Sequence, residues 1–325
     1  MSQFMPVTVR GDSNVQLRGI AATLRSMPTQ VTPRLVPLVC MPINSSRAFE
    51  DLVHVSAVPK VRKWTDERAG GSIATLKQTI TNDTYEVSMS INGDDYDDDQ
   101  IGAYSPVLQE LMQSLLLAPD ELVTTNLIVG GNSNAGYDGV NFYSTTHKWP
   151  GGEFQTNQSN NQTATGQDAA SLENDFWTAK NAMVGWKDDR GRLRMPPIDF
   201  QGSEAFVVHH SIALSQSMQR VFGLTRGGDA FELQPLTDQT KFPRKSSLAG
   251  AAIVVPDGYL TGNTWYVHSV RGLYRPFAFL DRLPPYVTIF GPGSEHYEKY
   301  NEVLFLGKRR FGLGYLKPER SQRIA

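Results

Sequence analysis

Five aspartates close together form the densest cluster in this sequence of residues that could do chemistry. Asp94, Asp95, Asp97, Asp98 and Asp99 stand in the run NGDDYDDD. Carboxylates at such short spacing are the ligands that Ca²⁺ and Mg²⁺ prefer, but the run lacks the glycine and the downstream glutamate of an EF-hand loop. Acids are equally expected before a helix, where they stabilise the positive end of the helix dipole. We therefore predict no metal ligands here.

The remaining candidates for chemistry are scattered along the chain. His209 and His210 are adjacent at the end of a predicted strand, so their side chains point to opposite faces and cannot chelate one ion together. His147 lies in a predicted loop. Cys40 could be a nucleophile with one of the six histidines, but a buried thiol is the commoner fate of a lone cysteine. The glycine-rich stretches match neither a phosphate-binding loop nor a dinucleotide fingerprint. We predict no catalytic residue, no cofactor and no enzyme activity.

Basic residues are concentrated at the two ends of the chain. The first 49 residues carry five arginines against one acid, and the last 25 carry six basic residues against two acids. Because the net charge is −2 over 325 residues, the middle carries −10. Such ends suit contact with an anionic partner, either DNA phosphates or the acidic face of a neighbour. Scattered solvated arginines remain the alternative explanation.

No feature of the sequence indicates secretion or a membrane span. A single cysteine cannot form an internal disulfide, as expected in a reducing cytoplasm. The N-terminus has no apolar signal region, and no stretch approaches 18 uncharged apolar residues.

The elements that must position these residues begin with a stretch broken by prolines. Pro6, Pro28, Pro33, Pro37 and Pro42 are spaced so that no long helix is expected over residues 1–48. We therefore predict that this stretch is an extended arm. Such an arm cannot bury its own apolar residues, so we expect it to lie across another surface. These residues are Leu17, Ile20, Leu24, Leu35, Val36, Leu38 and Val39.

A long two-stranded hairpin is predicted next, between Val53 and Ile91. Tyr85, Val87, Met89 and Ile91 alternate with polar residues, which is typical of a strand with one covered face. The intervening run TDERAGGS would form a charged tip. An isolated ribbon is marginal in water, so a long one needs a partner surface.

The best predicted helix runs from Ile101 to Leu117, where apolar residues recur at intervals of three and four. We expect Pro119 to interrupt or restart it, and Gly130 and Gly131 to end it. Residues 132–167 are polar and rich in turn formers, which predicts a surface excursion.

The rest of the chain predicts a mixed α+β body. SLENDFWTAKNAMVGW is an amphipathic helix with Ser171 as its N-cap. A strand ending in His209 and His210 leads into a helix from Ser211 to Phe222. Short strands follow in the runs GAAIVVPD, TWYVHSV, YVTIF and EVLFLGKRRFG.

An ordered set of motifs resembles the major head proteins of Mu-like phages. The first is PKVRKW, followed by Glu67 and Arg68, and the second is NDTYEVSMSINGDDYDDDQIGAYSP. Gln109, Pro119, Asp120 and Glu121, the loop GYDGVNFYSTTH and the run FLGKRRFGLGY follow in the family's order. No single motif is as specific as the ligand pattern of a zinc site, but together the motifs are distributed over most of the chain.

The resemblance implies the HK97 capsid fold, an α+β fold with these parts. Residues 1–48 would be the N-arm, 57–91 the E-loop hairpin, and 49–56 with 92–130 the peripheral domain and its spine helix. Residues 131–281 would be the axial domain, with a surface loop at about 132–167. Residues 282–312 would return to the peripheral domain as long strands, and 313–325 would be a C-terminal tail.

The function implied is a major capsid protein of a tailed double-stranded DNA phage. The chain would assemble into pentamers and hexamers of an icosahedral head in the host cytoplasm and reside in the virion, with no membrane partner. Other implied partners are packaged DNA, a separate scaffolding protein, a portal and, less firmly, a decoration protein. Intersubunit ion pairs would involve the E-loop residues Arg62, Lys63, Trp64, Asp66, Glu67 and Arg68. Arg10, Arg18, Arg25 and Arg34 would face DNA or subunit seams.

Two other functions stay open from the sequence. One is an encapsulin-like protein compartment with the same fold and a protein cargo. The other is a soluble hydrolase or binding protein whose site is the polar loop from Tyr137 to His147. An enzyme should be a small oligomer with a concave pocket, whereas a capsid protein should form capsomers or shells.

Overall fold

A computed structural model of the chain describes residues 5–11, 15–55, 63, 75–98, 103–150, 156–194, 205–222, 248, 250–272 and 274–325. Helices and strands both contribute heavily, so the predicted α+β class is confirmed. The helices are α1 (Val15–Gln30), α2 (Val36–Val39), α3 (Gly93–Asp97), α4 (Tyr104–Leu122), α5 (Ala169–Val184), α6 (Ser215–Phe222) and α7 (Glu295–Tyr300). The strands are β1 (Val7–Arg10), β2 (Cys40–Asn44), β3 (Phe49–Val55), β4 (Thr75–Thr81), β5 (Asp83–Asn92), β6 (Asn161–Gln162), β7 (Phe206–Ser211), β8 (Ile253–Asp257), β9 (Trp265–Ser269), β10 (Phe277–Phe290), β11 (Glu302–Tyr315) and β12 (Ser321–Ile324).

Two strands of 14 residues, β10 and β11, are the backbone of the first sheet. Its order is β1-β10-β11-β5, with β2 also parallel to β10 at the Phe277 end. Alternate residues of β11 are buried, as Val303, Phe305 and Phe311 show. Period-2 alternation in β11 therefore leaves the side chains on one face of the sheet half-buried, while its other face is fully buried.

Helices α1 and α4 cover that face of the first sheet. Leu108 and Met112 of α4 meet Leu17 and Leu24 of α1 in one core cluster, together with Phe305 of β11. All five side chains are fully buried. Burial at this density is the main source of stability for such a layer pair.

The prediction of an extended N-terminal arm is wrong. Residues Val15–Gln30 form a helix of 16 residues that contains Pro28, and β1 pairs in parallel with β10. Leu17, Leu24, Leu35, Val36 and Val39 are buried in the chain's own cores, so these residues need no neighbour. Pro28 has no N–H to donate to the Leu24 carbonyl oxygen, and the helix ends two residues later, at Gln30.

A second sheet, in the order β6-β12-β9-β7-β8, lies in the other half of the molecule. All residues of β7 and of β9 are buried, as expected for central strands with both faces covered. Helices α5 and α6 pack on this sheet through a core that includes Phe176, Met218 and Trp265. The chain's last residues form β12, between β6 and β9, so residues 313–325 are not a free tail.

The predicted long hairpin divides between two sheets. Among the residues that the structure describes, β3 pairs only with β4, from Phe49↔Thr81 to Val55↔Thr75, and these two strands form what we name the ribbon. β5, with the alternation from Tyr85 to Ile91, pairs instead with β11 in the first sheet. The prediction of a strand was correct there, but its partner was wrong, because alternation indicates a covered face and does not identify the neighbouring strand.

Details of three helix termini differ from the prediction. Asp94 and Asp95 lie in the first turn of the short α3, which Asn92 caps, and α4 has no acid in its first turn. α4 continues through Pro119 and passes at Val123 into a π-helical segment, which ends at Gly130 as expected. The N-cap of α5 is Asp168, whose carboxylate accepts from the backbone N–H groups of residues 170 and 171, so the predicted Ser171 is already inside the helix.

Candidate assembly surfaces

The ribbon presents an apolar stripe to solvent. Phe49, Val53 and Val55 lie on one face of β3 and are 49%, 60% and 38% exposed. The same face of β4 carries β-branched threonines and Lys77, whose amine forms a 2.7 Å ion pair with Asp51. Exposed apolar side chains grouped on a two-stranded ribbon are a feature of surfaces that meet a partner.

The opposite face of the ribbon is fixed to the body of the molecule. Ile80 and Leu52 pack with Leu280 and Leu316 in a small core. Further along, the His54 ring stacks on Tyr137 with centroids 4.4 Å apart and an interplanar angle of 17°. The ribbon is therefore oriented by the body, and its apolar stripe points away from it.

The predicted tip of the E-loop lies mostly outside the described residues. Arg62, Trp64, Asp66, Glu67 and Arg68 fall in ranges that the structure does not describe. Lys63 is described and is exposed. Their predicted ion pairs with a neighbour stay a prediction.

The four N-terminal arginines predicted to face DNA or a seam are all exposed. Two of them also make backbone contacts within the chain: Arg25 donates to the Val7 carbonyl at 3.1 Å, and Arg34 donates to the Val254 carbonyl at 3.3 Å. The Arg10 guanidinium lies 5.5 Å from the centre of the Phe290 ring. Arg18 lies on the exposed side of α1. These positions leave charge available at the surface along the N-terminal segment.

The basic C-terminus does not form a comparable charged surface. Arg309 is buried between α4 and the first sheet, where its Nη1 lies 3.4 Å from the Leu116 carbonyl oxygen. Burial lowers the pKa of this guanidinium, although it remains a strong base. Arg320 is also buried, and it donates to the Arg271 carbonyl at 2.6 Å. The prediction that this end meets an anionic partner is therefore wrong for these two arginines.

Cation-binding and nucleophilic chemistry find no support in the described part of the chain. No group of three or more His, Cys, Asp or Glu side chains there could hold a metal ion. Asp94 accepts a 3.2 Å hydrogen bond from the Asn301 amide, which ties α3 to the start of β11. Cys40 is buried, and burial, reinforced by the charge of Asp120, raises the pKa of its thiol far above the ordinary value. A thiol that stays protonated is a poor nucleophile.

His147, the centre of the alternative enzymatic site, is a buried structural residue. Its Nδ1 lies 2.6 Å from an Asp138 carboxylate oxygen, and its Nε2 lies 3.0 Å from the Phe142 carbonyl oxygen. Asn160, fully buried, donates to that same carbonyl at 2.7 Å and to the Pro318 carbonyl at 3.2 Å. These hydrogen bonds therefore fix the loop from Asp138 to His147 against the body of the molecule, and Phe142 and Tyr143 of this loop are core residues. The prediction of a surface excursion is wrong for this part of residues 132–167.

Two further histidines form buried hydrogen bonds in the second sheet. His209 Nε2 lies 2.8 Å from Asp257, which also accepts from the Thr124 hydroxyl at 2.6 Å. His268 Nδ1 lies 2.9 Å from the Ser321 hydroxyl, and burial lowers the pKa of His268 well below its ordinary value. His268 and Ser321 are fully inaccessible, so no substrate can reach this pair. As predicted, His210 faces elsewhere, with Nδ1 2.7 Å from the Ser211 carbonyl oxygen.

Sequence reasoning missed the ribbon's apolar stripe and its anchor. The signal for the stripe was present, since Phe49, Val53 and Val55 share the odd positions of one strand. No local signal could identify His54 as the anchor, because its partners lie far along the chain, at Tyr137 and beyond.

The fold of the chain is similar to that of solved capsid proteins. The capsid of bacteriophage JBD30 superimposes with a TM-score of 0.52 at 16% identity, over 90% of this chain and 65% of that chain. The capsid of cyanophage P-SCSP1u gives 0.59 at 10% identity, over 90% and 88%. A virus-like particle from Pyrococcus furiosus gives 0.56 at 8% identity, over 96% and 100%. The fold is therefore that of the HK97-like capsid proteins, as predicted.

Sequence comparisons specify the relationship within that fold. Residues 23–172 match the family of the Mu-like prophage major head subunit gpT. The major capsid protein of Escherichia phage Mu is 31% identical over 109 residues, which cover 34% of this chain and 35% of that protein. The Mu-like prophage FluMu major head subunit of Haemophilus influenzae is 26% identical over 154 residues, or 47% and 48%. The match spans less than half of each relative, and the resemblance to Mu-like head subunits is confirmed over residues 23–172.

No helix among the described residues is long and apolar enough to span a membrane.

Proposed function

We propose that this chain is the major capsid protein of a tailed double-stranded DNA phage and acts by self-assembly. The observation that carries the proposal is the match of residues 23–172 to the Mu-like head subunits within an HK97-like fold. The ribbon supports it, because an exposed apolar stripe on a body-anchored hairpin suits contact with a second copy. Pentamers and hexamers would repeat such contacts around closed symmetry axes.

The parts of the subunit would keep the order implied by the family resemblance, with revised bounds. Residues 1–48 would be the N-arm, although most of this stretch packs on its own body. The E-loop would begin at β3 and end at β4, thus covering residues 49–81, and β5 would belong to the peripheral domain with α4, β10 and β11. Residues 131–276 would be the axial domain, because β10 begins at Phe277 in the first sheet, and β12 would join the sheet of the axial domain.

Interfaces between copies would use the ribbon and its tip. Phe49, Val53 and Val55 would be covered by a neighbouring subunit, and the charged tip from Arg62 to Arg68 would add ion pairs. Each exposed pair contributes only ~0–1 kcal/mol, so burial of the apolar stripe would dominate.

The remaining partners and the location follow from the same proposal. The exposed arginines at positions 10, 18, 25 and 34 would face packaged DNA or run along subunit seams. Assembly would occur in the host cytoplasm with a separate scaffolding protein and a portal, and a decoration protein could bind outside. The product would be the virion head, with no catalytic turnover and no cofactor. A cysteine tag on the N-terminal segment that reacts from outside an intact particle would contradict the orientation of the arginines.

Electron microscopy of negatively stained protein, expressed alone and with the neighbouring scaffold gene, tests the proposal. Uniform shells, or pentameric and hexameric rings, are expected. A monodisperse monomer or dimer under both conditions would contradict it.

A protein compartment is the second candidate, because the fold also matches the virus-like particle from Pyrococcus furiosus. Shells purified from the native host separate the two functions. A phage head should contain DNA of one length, whereas a compartment should contain a protein cargo and no genome.

A further inference from the structure

Four separate segments meet beneath the ribbon in a buried charged junction. Arg194, whose side chain is 15% exposed, forms a 2.8 Å ion pair with the buried Glu319, and its guanidinium lies 5.7 Å from the centre of the Trp149 ring. Trp149 in turn lies 5.5 Å from Tyr137, the ring on which His54 stacks. The junction therefore joins the ribbon, the loop of residues 137–149, Arg194 and the C-terminal segment.

His54 is the ribbon residue that stacks in this junction, and it is poorly accommodated there as a cation. Its side chain is 2% exposed, and its Nε2 has no hydrogen-bond partner in the described part of the chain. The charged groups that act on it are Lys317, Arg194 and Glu319, and Gln78 is its polar neighbour on β4. Two cations and one carboxylate already leave an excess of positive charge, so a further buried cation would be repelled.

We propose that His54 is a pH-sensitive latch, which holds the ribbon on the body when its imidazole is neutral and releases the ribbon when the imidazole is protonated. The stack on Tyr137 favours docking at neutral pH. The Nε2 atom, which has no hydrogen-bond partner among the described residues, can accept a proton, but no carboxylate is in contact with it to neutralise the added charge. The latch would control the angle of the ribbon and so the presentation of its apolar stripe. It does not rest on the proposed function, because release would occur in a single chain.

The pH window follows from the groups in the junction. Burial, and then the charge of Lys317, lower the pKa of His54 to about 4, against about 6.5 when solvated. Docking is therefore strongest above about pH 6.5 and weakens as the pH falls towards about 4. Burial lowers the pKa of Lys317 to about 8, and the charges of Arg194 and Lys317 outweigh burial to hold the pKa of Glu319 below its ordinary value. Neither group changes charge substantially between pH 7 and pH 5, so His54 governs that window.

A thiol on the inward face of the ribbon reports its release. Leu76 lies directly opposite His54 and is half buried, so Leu76→Cys should react with a pyridyl disulfide faster when the ribbon lifts. The rate of the thiol reaction is measured on the unassembled full chain and divided at each pH by the rate for glutathione. The chain without the Leu76→Cys change is the blank, and it should react slowly because its one cysteine, Cys40, is buried. With the two pKa values of His54 above, the opening equilibrium should rise roughly 20-fold between pH 7 and pH 5.

Two variants separate a latch from a merely structural contact. With His54→Gln the normalised rate should be independent of pH, and with Lys317→Met its rise should be smaller than in the parent, because one repelling cation is gone. An equal rise in all three proteins, or none in the parent, would overturn the proposal. If His54→Gln leaves the ribbon open at every pH, the test is the comparison of the parent with Lys317→Met. A rise in rate as large in Lys317→Met as in the parent would then overturn the proposal.

Discussion

At the residue scale, single polar side chains fix distant segments of this chain to one another. Asp120 on α4 accepts hydrogen bonds from the backbone N–H groups of Arg34, Leu35 and Val36, and so caps α2 from 84 to 86 residues away. A carboxylate at the positive end of a helix satisfies donors that would otherwise be unpaired. The buried Asn160 has a similar role between Phe142 and Pro318.

Asp120→Ala should lower the free energy of unfolding by about 2 kcal/mol, because three N–H groups lose their acceptor. Urea unfolding followed by circular dichroism measures this loss. Glu110→Ala is the matched control, since Glu110 is an exposed carboxylate on the same helix. Equal losses in the two variants would show that the cap contributes nothing.

Asn160→Asp should cost roughly 3 kcal/mol or more, although the side chains have nearly the same shape. The change removes the donor to two carbonyl oxygens and places a carboxylate in a fully buried position. Asn181→Asp, an exposed position on α5, is the control. A midpoint of thermal unfolding that falls equally in both proteins would argue against a structural role for Asn160.

At the element scale, the sequence predicted which face of a strand or helix is covered better than it predicted which strands pair with each other. The alternation from Tyr85 to Ile91 is a strand, and the three-four recurrence after Ile101 is a helix, because each period depends on local geometry alone. The pairing of β5 with β11 depends on residues more than 200 positions away, which no local period encodes. The spacing of Leu17, Ala21, Leu24 and Met27 is that of a helix with one buried face, although prolines lie inside and after this segment.

Gly19→Ala tests that N-terminal helix directly. Gly19 is exposed on α1 with no atom near the added methyl group, so the change should stabilise the protein by about 1 kcal/mol. An increase in the urea midpoint is expected. An extended arm would gain no helix propensity, so an unchanged midpoint would contradict the helix.

Gly314→Ala should act in the opposite direction, because a methyl group there overlaps the Ile80 side chain at the base of the ribbon. Overpacking of this kind costs about 1–3 kcal/mol. Combination with Ile80→Val should cost less than the sum of the two single changes, since the smaller side chain relieves the overlap. Additive losses in urea unfolding would show that Gly314 and Ile80 are not in contact.

At the scale of the whole molecule, stability and assembly depend on different surfaces. The cores around α1, α4 and the two sheets are closed within one chain, including the N-terminal segment that was expected to need a neighbour. The ribbon's apolar stripe lies outside these cores. Stability of the subunit and formation of a shell should therefore respond to separate mutations.

Val53→Glu tests this separation under the proposed capsid function. Val53 is 60% exposed and lies directly opposite Lys77, so the new carboxylate can pair across the ribbon and the subunit should keep its thermal midpoint. Covering that charge with a neighbouring subunit would cost its hydration, so shells should be lost or reduced at least tenfold in sedimentation and electron microscopy. Ile212→Glu, at an exposed apolar position directly after β7 of the second sheet, is the control. Normal shells from Val53→Glu would place the intersubunit contact elsewhere, and a large drop in its thermal midpoint would mean that the ribbon contributes to the fold of the single chain.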